Sequence, residues 1–197
     1  PNGVLFGAGA SVNVGALLAS TLNLSDADFN AGNYRFTGNA NSTASIINQG
    51  NITTESGGYI ALLGSQVSNQ GTLAARLGNV TLAAGSDMTL DFAGDGLLSV
   101  QVKQGSLHAL VKNKQLIQAD GGTVVMNAKT ADSLIQAVVN NDGMMQANSV
   151  DTRDGRVMLV SDNGQLQLNG SISAQGGQVL ADAGNGDTVL RCLLYTS

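Results

Sequence analysis

Asn48-Gln49-Gly50-Asn51-Ile52 returns further along the chain as Asn69-Gln70-Gly71-Thr72-Leu73, and the reading of this pair decides the fold. The signature comes back as Asn141-Asp142-Gly143-Met144-Met145 and, shortened, as Asn169-Gly170-Ser171-Ile172. A degenerate copy, Asn113-Lys114-Gln115-Leu116-Ile117, has Gln where Gly is expected. Behind these copies come a small residue, a Gly-containing turn and a second apolar alternation. The clearest are Leu73–Leu82, Ile117–Met126 and Ile172–Leu180. Self-similarity of this kind is the mark of a repeat architecture.

Each repeat reads as two or three short strands of period-2 alternation, separated by Gly or Asn corners. Strands this short cannot bury a face alone, but stacked about 4.8 Å apart as successive coils they can. Ile52, Leu73, Ile117, Met145 and Ile172 then form one inward ladder, and Val80, Val124, Val157 and Val179 another. The expected fold is all-β: a right-handed parallel β-helix with small extra-helical β elements and a short inserted helix. Asn48, Gly50, Asn69, Gly71, Asn141, Gly143, Asn169 and Gly170 are its structural corners, Asn being tolerant of left-handed geometry there and able to hydrogen-bond neighbouring backbone. The uneven gaps between copies leave space for one more coil near Leu98 and Val100.

Composition agrees. A slender solenoid interior takes Ala, Val, Leu and Ile and has little room for rings, and aromatics are only 4% of the 197 residues, with no Trp. The hydrophobic share of 43% is too high for a disordered chain. No run approaches the ~20 consecutive apolar residues of a membrane helix. Nine basic against 14 acidic residues leave a net charge of −5, and the basic ones are scattered, so no stripe exists for nucleic acid. One Cys and one His, Cys192 and His108, cannot make an internal disulfide or a Cys/His metal site. No cofactor and no metal are expected.

Three segments depart from the repeat. Residues 1–45 are less regular and are expected to hold elements outside the helix, with Ser25-Asp26-Ala27-Asp28-Phe29 as one helical turn. Residues 46–190 are the stacked coils. Within them Thr130–Val138 has apolar residues at helical spacing behind a Thr, the signature of the inserted helix. Residues 191–197, Arg-Cys-Leu-Leu-Tyr-Thr-Ser, abandon the pattern and read as foreign read-through on a truncated frame.

The opening run Pro1-Asn2-Gly3-Val4-Leu5-Phe6, with Val14–Thr21, Ser25–Phe29 and Gly32-Asn33-Tyr34-Arg35-Phe36, resembles the filamentous-haemagglutinin family. The likeness is to the amino-terminal secretion domain of these two-partner-secretion adhesins. It continues through Gly96–Val100, Ala109–Lys114, Leu116–Gly122 and Val138-Val139-Asn140-Asn141, covering residues 1–183. The family motif is Asn-Pro-Asn-Gly and an aliphatic residue; Pro1, Asn2 and Gly3 keep it without the leading Asn. The resemblance implies export through the periplasm to the bacterial surface, with recognition by the periplasmic domains of an outer-membrane transporter. It also implies adhesion to surface glycans or receptors of a host or another bacterium, through downstream regions. The upstream part of the domain is expected to be missing, which would leave the fragment unable to direct its own secretion. A contact-dependent growth-inhibition toxin carrier shares the same head and is the alternative.

Other motifs have bland readings. Pro1-Asn2-Gly3 can be a recognition element or simply a turn. His108 reads as a surface or corner residue. Asp87, Asp91 and Asp95 sit at a spacing that suggests calcium, yet the β-roll nonapeptide is absent and strand or corner positions explain them. Asp151 with Arg153 and Asp154 with Arg156 lie on one expected loop and read as solvated charges. The rival class is a carbohydrate-active β-helix enzyme, which needs ionisable residues at one strand position of consecutive coils. The aligned outward positions here are mostly Ser, Thr, Gln and Asn.

Overall fold

The computed structural model describes residues 2–92, 98–131, 138–162, 164–191 and 193–196. Its first coil is made of β1 (Gly3–Phe6), β2 (Ser11–Val14) and β3 (Leu17–Ser20). The chain then leaves the helix for β4 (Asn23–Leu24), α1 (Asp26–Asn30) and β5 (Tyr34–Thr37). It returns as β6 (Ser45–Asn48), β7 (Asn51–Thr54) and β8 (Tyr59–Gly64). A third coil follows as β9 (Gln66–Asn69), β10 (Thr72–Ala74) and β11 (Asn79–Ala84). A second excursion carries β12 (Asp87–Asp91) and β13 (Ser99–Gln104). The fourth coil is β14 (Leu110–Asn113), β15 (Leu116–Gln118) and β16 (Thr123–Lys129). The fifth is β17 (Val138–Asn141), β18 (Met144–Gln146) and β19 (Arg156–Asp162). The sixth is β20 (Gln165–Leu168), β21 (Ser171–Ser173) and β22 (Gln178–Asp182). β23 (Thr188–Leu190) and β24 (Leu193–Tyr195) begin a seventh.

Like strands of successive coils pair in parallel and form three sheets. The result is the parallel β-helix, right-handed as crossovers between parallel strands are. The two inward ladders stand in the expected register: Leu73 pairs with Ile52 and Ile117, and Met145 with Ile117 and Ile172. Val124 pairs with Val80 and Val157, and Val157 with Val179. All of these are buried except Val179, which is half-buried near the end of the stack. Alternation drives this: every second side chain enters the core while its neighbours face out.

The corner glycines are needed for close stacking. A Cβ on Gly71 would strike the Gly50 carbonyl below it, and one on Gly170 the Gly143 carbonyl. The asparagines, however, do not serve as left-handed corners. The non-glycine residues of positive φ among the described residues are Leu77 and Asp151. Asn48, Asn69, Asn113 and Asn141 instead end their strands with the side chain buried in the core, where the amides bond one another up the stack. Asn169 is misaligned by the sequence reading. Leu168 pairs with Asn141 and takes the inward slot, so Asn169 is exposed and donates to Asp142 Oδ1 at 2.9 Å.

Other expectations change. The solenoid starts at Gly3 rather than at residue 46, because β1 pairs with β6, β2 with β7 and β3 with β8. No coil forms at Leu98 and Val100. That segment joins a four-stranded antiparallel sheet, ordered β13-β12-β5-β4, that lies against the solenoid. Its cause is the apolar outer face of the second and third coils: Ala61, Leu63 and Ala83 point outward and are buried with Phe36, Met88, Leu90 and Leu98. The turn at Ser25–Phe29 is present as α1, capped by Ser25 Oγ accepting from the Asp28 N–H at 3.0 Å. Of the inserted helix over 130–138, Val138 is already strand β17, and residues 132–137 lie outside the described residues. The tail does not leave the pattern at once: β24 pairs with β21 as the next rung.

Candidate functional site

The conspicuous motif sits at one end of the rod. Pro1 lies outside the described residues, Asn2 is exposed, and Gly3 opens β1. The turn reading of Pro1-Asn2-Gly3 depends on Pro1 and so lies outside the described residues; Gly3 itself is a strand residue. Gly3 has φ +146, and a Cβ there would lie 2.9 Å from the Ser45 carbonyl oxygen, so the strand entry requires glycine. β1, β2 and β3 each end their sheet, and each pairs on one side only among the described residues. Beside them Asn2, Gly3, Val4, Leu5, Ser45 and Ile47 line a shallow groove of about 290 Å³, with Leu5 64% exposed. Main-chain donors, apolar side chains and an exposed amide thus meet at one edge.

The two other blocks that carry the family likeness are structural. Val138–Asn141 is β17, which brings Asn141 to the amide column. In that column Asn48 Nδ2 donates to Asn69 Oδ1 at 2.8 Å, Asn69 to Asn113 at 2.9 Å, and Asn113 to Asn141 at 2.8 Å. Each amide also donates to the carbonyl two residues on, at Gly50, Gly71, Gln115 and Gly143. The Gln118–Gly122 block places Asp120 where it accepts from Gln118 and Gln146 side chains and from the Asn148 N–H. These bonds tie two coils together at a corner.

The candidate charged groups are dispersed. Asp87 is buried and held by Arg35, Nη2 to Oδ2 at 2.6 Å and Nε to Oδ1 at 3.1 Å. Those hydrogen bonds hold the Asp87 carboxyl below the usual carboxylate range against the opposing effect of burial, with the charges of Arg35 and Lys103 adding. The same bonds, then the Asp87 charge, raise the Arg35 guanidinium. Asp91 is exposed at the end of β12, and Asp95 lies outside the described residues. His108 is exposed. Asp151, Arg153, Asp154 and Arg156 are exposed around a small antiparallel bridge between Val150 and Arg153. Among the described residues no three of His, Cys, Asp and Glu gather where they could hold a metal ion. A pairing the sequence reading missed is Arg35 with Asp87, since antiparallel contact across an excursion leaves no periodic trace.

A family model, the TPS secretion domain, matches residues 1–174, and the chain belongs to this family. The chain is 30% identical over 137 residues to a heme/hemopexin-binding protein of Haemophilus influenzae strain Rd, covering 66% of this chain. A second heme/hemopexin-binding protein of Haemophilus influenzae is 29% identical over 173 residues, 76% of this chain. The chain spans 15% and 18% of the length of these relatives. The crystal structure of the HMW1 secretion domain from Haemophilus influenzae superposes with a TM-score of 0.80 at 25% identity. That match covers 98% of this chain and 51% of the other. TPS secretion domains are recognised by an outer-membrane partner transporter, and the exoprotein passes through the periplasm and that transporter to the cell surface or beyond.

Proposed function

We propose that the edge of the first coil, with Pro1-Asn2-Gly3 leading into it, is what the periplasmic domains of the transporter read. The observation that carries this is that the motif runs straight into β1, a strand of alternating burial that contains the exposed Leu5. An extended chain in the periplasm offers this segment by strand addition, with main-chain hydrogen bonds giving affinity and alternate side chains giving selectivity. Coil stacking outside the cell then buries each strand against the last and opposes return. The domain works by recognition and not by catalysis, a reading supported by outward positions such as Thr53, Ala74, Gln118, Gln146 and Ser173, which offer no repeated ionisable group. The whole protein is read as a surface adhesin of the haemagglutinin type, binding surface glycans or receptors through parts beyond residues 1–174.

Asn2 gives the clean test. It is exposed, whereas Gly3→Ala brings a Cβ against Ser45 and confuses folding with recognition. In the full-length exoprotein with its cognate transporter, Asn2→Ala is expected to lower the secreted amount several-fold, towards that of a transporter-deleted strain. Secretion equal to the unaltered protein would rule the motif out as the element read.

A further inference from the structure

The outer face that holds the extra-helical sheet does not end where that sheet ends. Two outward columns run along the third sheet of the solenoid. One is Ala61–Thr81–Val125–Met158–Leu180 and the other Leu63–Ala83–Asn127–Val160–Asp182. Their first members are buried beneath β12 and β5. Past β13 the columns stay largely apolar, yet Val125, Met158 and Val160 are only half-buried and Leu180 is 51% exposed. β13 is the last strand of its sheet among the described residues. It is six residues long, Ser-Val-Gln-Val-Lys-Gln, with one charge and no proline. Its register with β12 shifts between Asp87 and Met88, where the extra residue is Lys103 of β13 itself, so the regular part of this edge is Ser99–Val102. Edge strands are normally blunted by bulges, proline or charges; here the bulge and the lysine are confined to the Lys103 end, and Ser99–Val102 has none of them. Between that edge and the solenoid face lies a groove of about 170 Å³, lined by Val102, Asn127, Lys129, Val160, Asp162 and Asp182. Lys129 is paired with Asp162 at 2.8 Å, so the groove carries the net negative charge of Asp182.

We propose that this groove takes an extended segment of a partner polypeptide, which adds to β13 as a fifth strand. The argument is continuity: the strand would cover Val160 and Met158 as β12 and β5 cover Ala61, Leu63 and Ala83. Its downward side chains are apolar and alternate with polar ones, and a Lys or Arg stands near Asp182. Main-chain bonds to β13 supply the rest of the affinity. This site belongs to the folded molecule and is separate from the edge of the first coil.

The test titrates the folded chain with a short synthetic peptide of alternating valine and threonine closed by lysine. Saturable binding is expected, with alternate amides of Ser99–Gln104 becoming protected from hydrogen exchange. A peptide N-methylated at alternate residues keeps its side chains but loses one hydrogen-bonding edge, and is expected not to bind. Val160→Lys weakens binding by about tenfold or more, because a charge must be buried under the strand, whereas Met144→Lys, exposed on β18 of another sheet, leaves it unchanged. Equal binding of the methylated peptide, or no binding to the unaltered chain, overturns the proposal. So does protection, in the free chain, of those β13 amides that point away from β12, whether by the chain itself or by a second copy at raised concentration.

Discussion

Leu73 and Thr72 are neighbours with opposite fates. Leu73 is wholly buried between Ile52 and Ile117, while Thr72 faces outward on the same strand. Leu73→Asp is expected to cost about 3–5 kcal/mol, since a carboxylate without a partner enters the core. Thr72→Asp is expected to cost less than about 1 kcal/mol, as outward substitutions do. Urea denaturation of both variants decides it, and equal losses would refute the register. Asn69 carries a different load. It accepts from Asn48 and donates to Asn113, so Asn69→Ala breaks the column on both sides, leaving Asn48 its bonds to Gly50 and Thr72 and Asn113 Oδ1 its bond from Gln115. A loss of about 1–3 kcal/mol is expected in the same assay, as two buried amide–amide bonds go. A stability equal to the unaltered chain would mean water replaces the amide. The glycine two residues after Asn48, Asn69 and Asn141 is legible as a corner; the inward turn of the asparagine is not. Residue type alone does not say on which side of a strand's end an amide points, and both a corner and a buried column satisfy the same Asn-x-Gly pattern.

The elements divide the same way. Strands stacked coil on coil repeat their pattern, so the ladders through Leu73 and Val124 could be aligned before any coordinates existed. The excursions β4–β5 and β12–β13 occur once and pair antiparallel with partners far along the chain, so no repeat reveals them. Leu98 and Val100 look like another coil because period-2 alternation does not distinguish a solenoid strand from a strand lying on top of one. Arg35 and Asp87 tie β5 to β12 and give this sheet a pH signature. The folded Asp87 pKa is depressed, so its stabilisation is full above the unfolded carboxylate value and fades as pH falls below about 4. Arg35→Met is expected to flatten the loss of stability on acidification in that range and to loosen the extra-helical sheet first. Thermal melts between pH 5 and pH 2.5 test this; an unchanged slope would assign the acid sensitivity to other carboxylates.

At the scale of the whole molecule, stability is a sum of neighbouring coil contacts, so the ends open more readily than the middle. The first coil is half-buried where the third is buried, as β3 beside β11 illustrates. Charged residues are only 12% of the chain, so few ion pairs can contribute to its capture. The most direct measurement is binding of the chain, kept unfolded in urea, to the isolated periplasmic domains of its transporter at a urea concentration that leaves those domains folded. The account predicts saturable binding that changes little with salt and is weakened by Asn2→Ala. Absence of binding across every such urea concentration would contradict it.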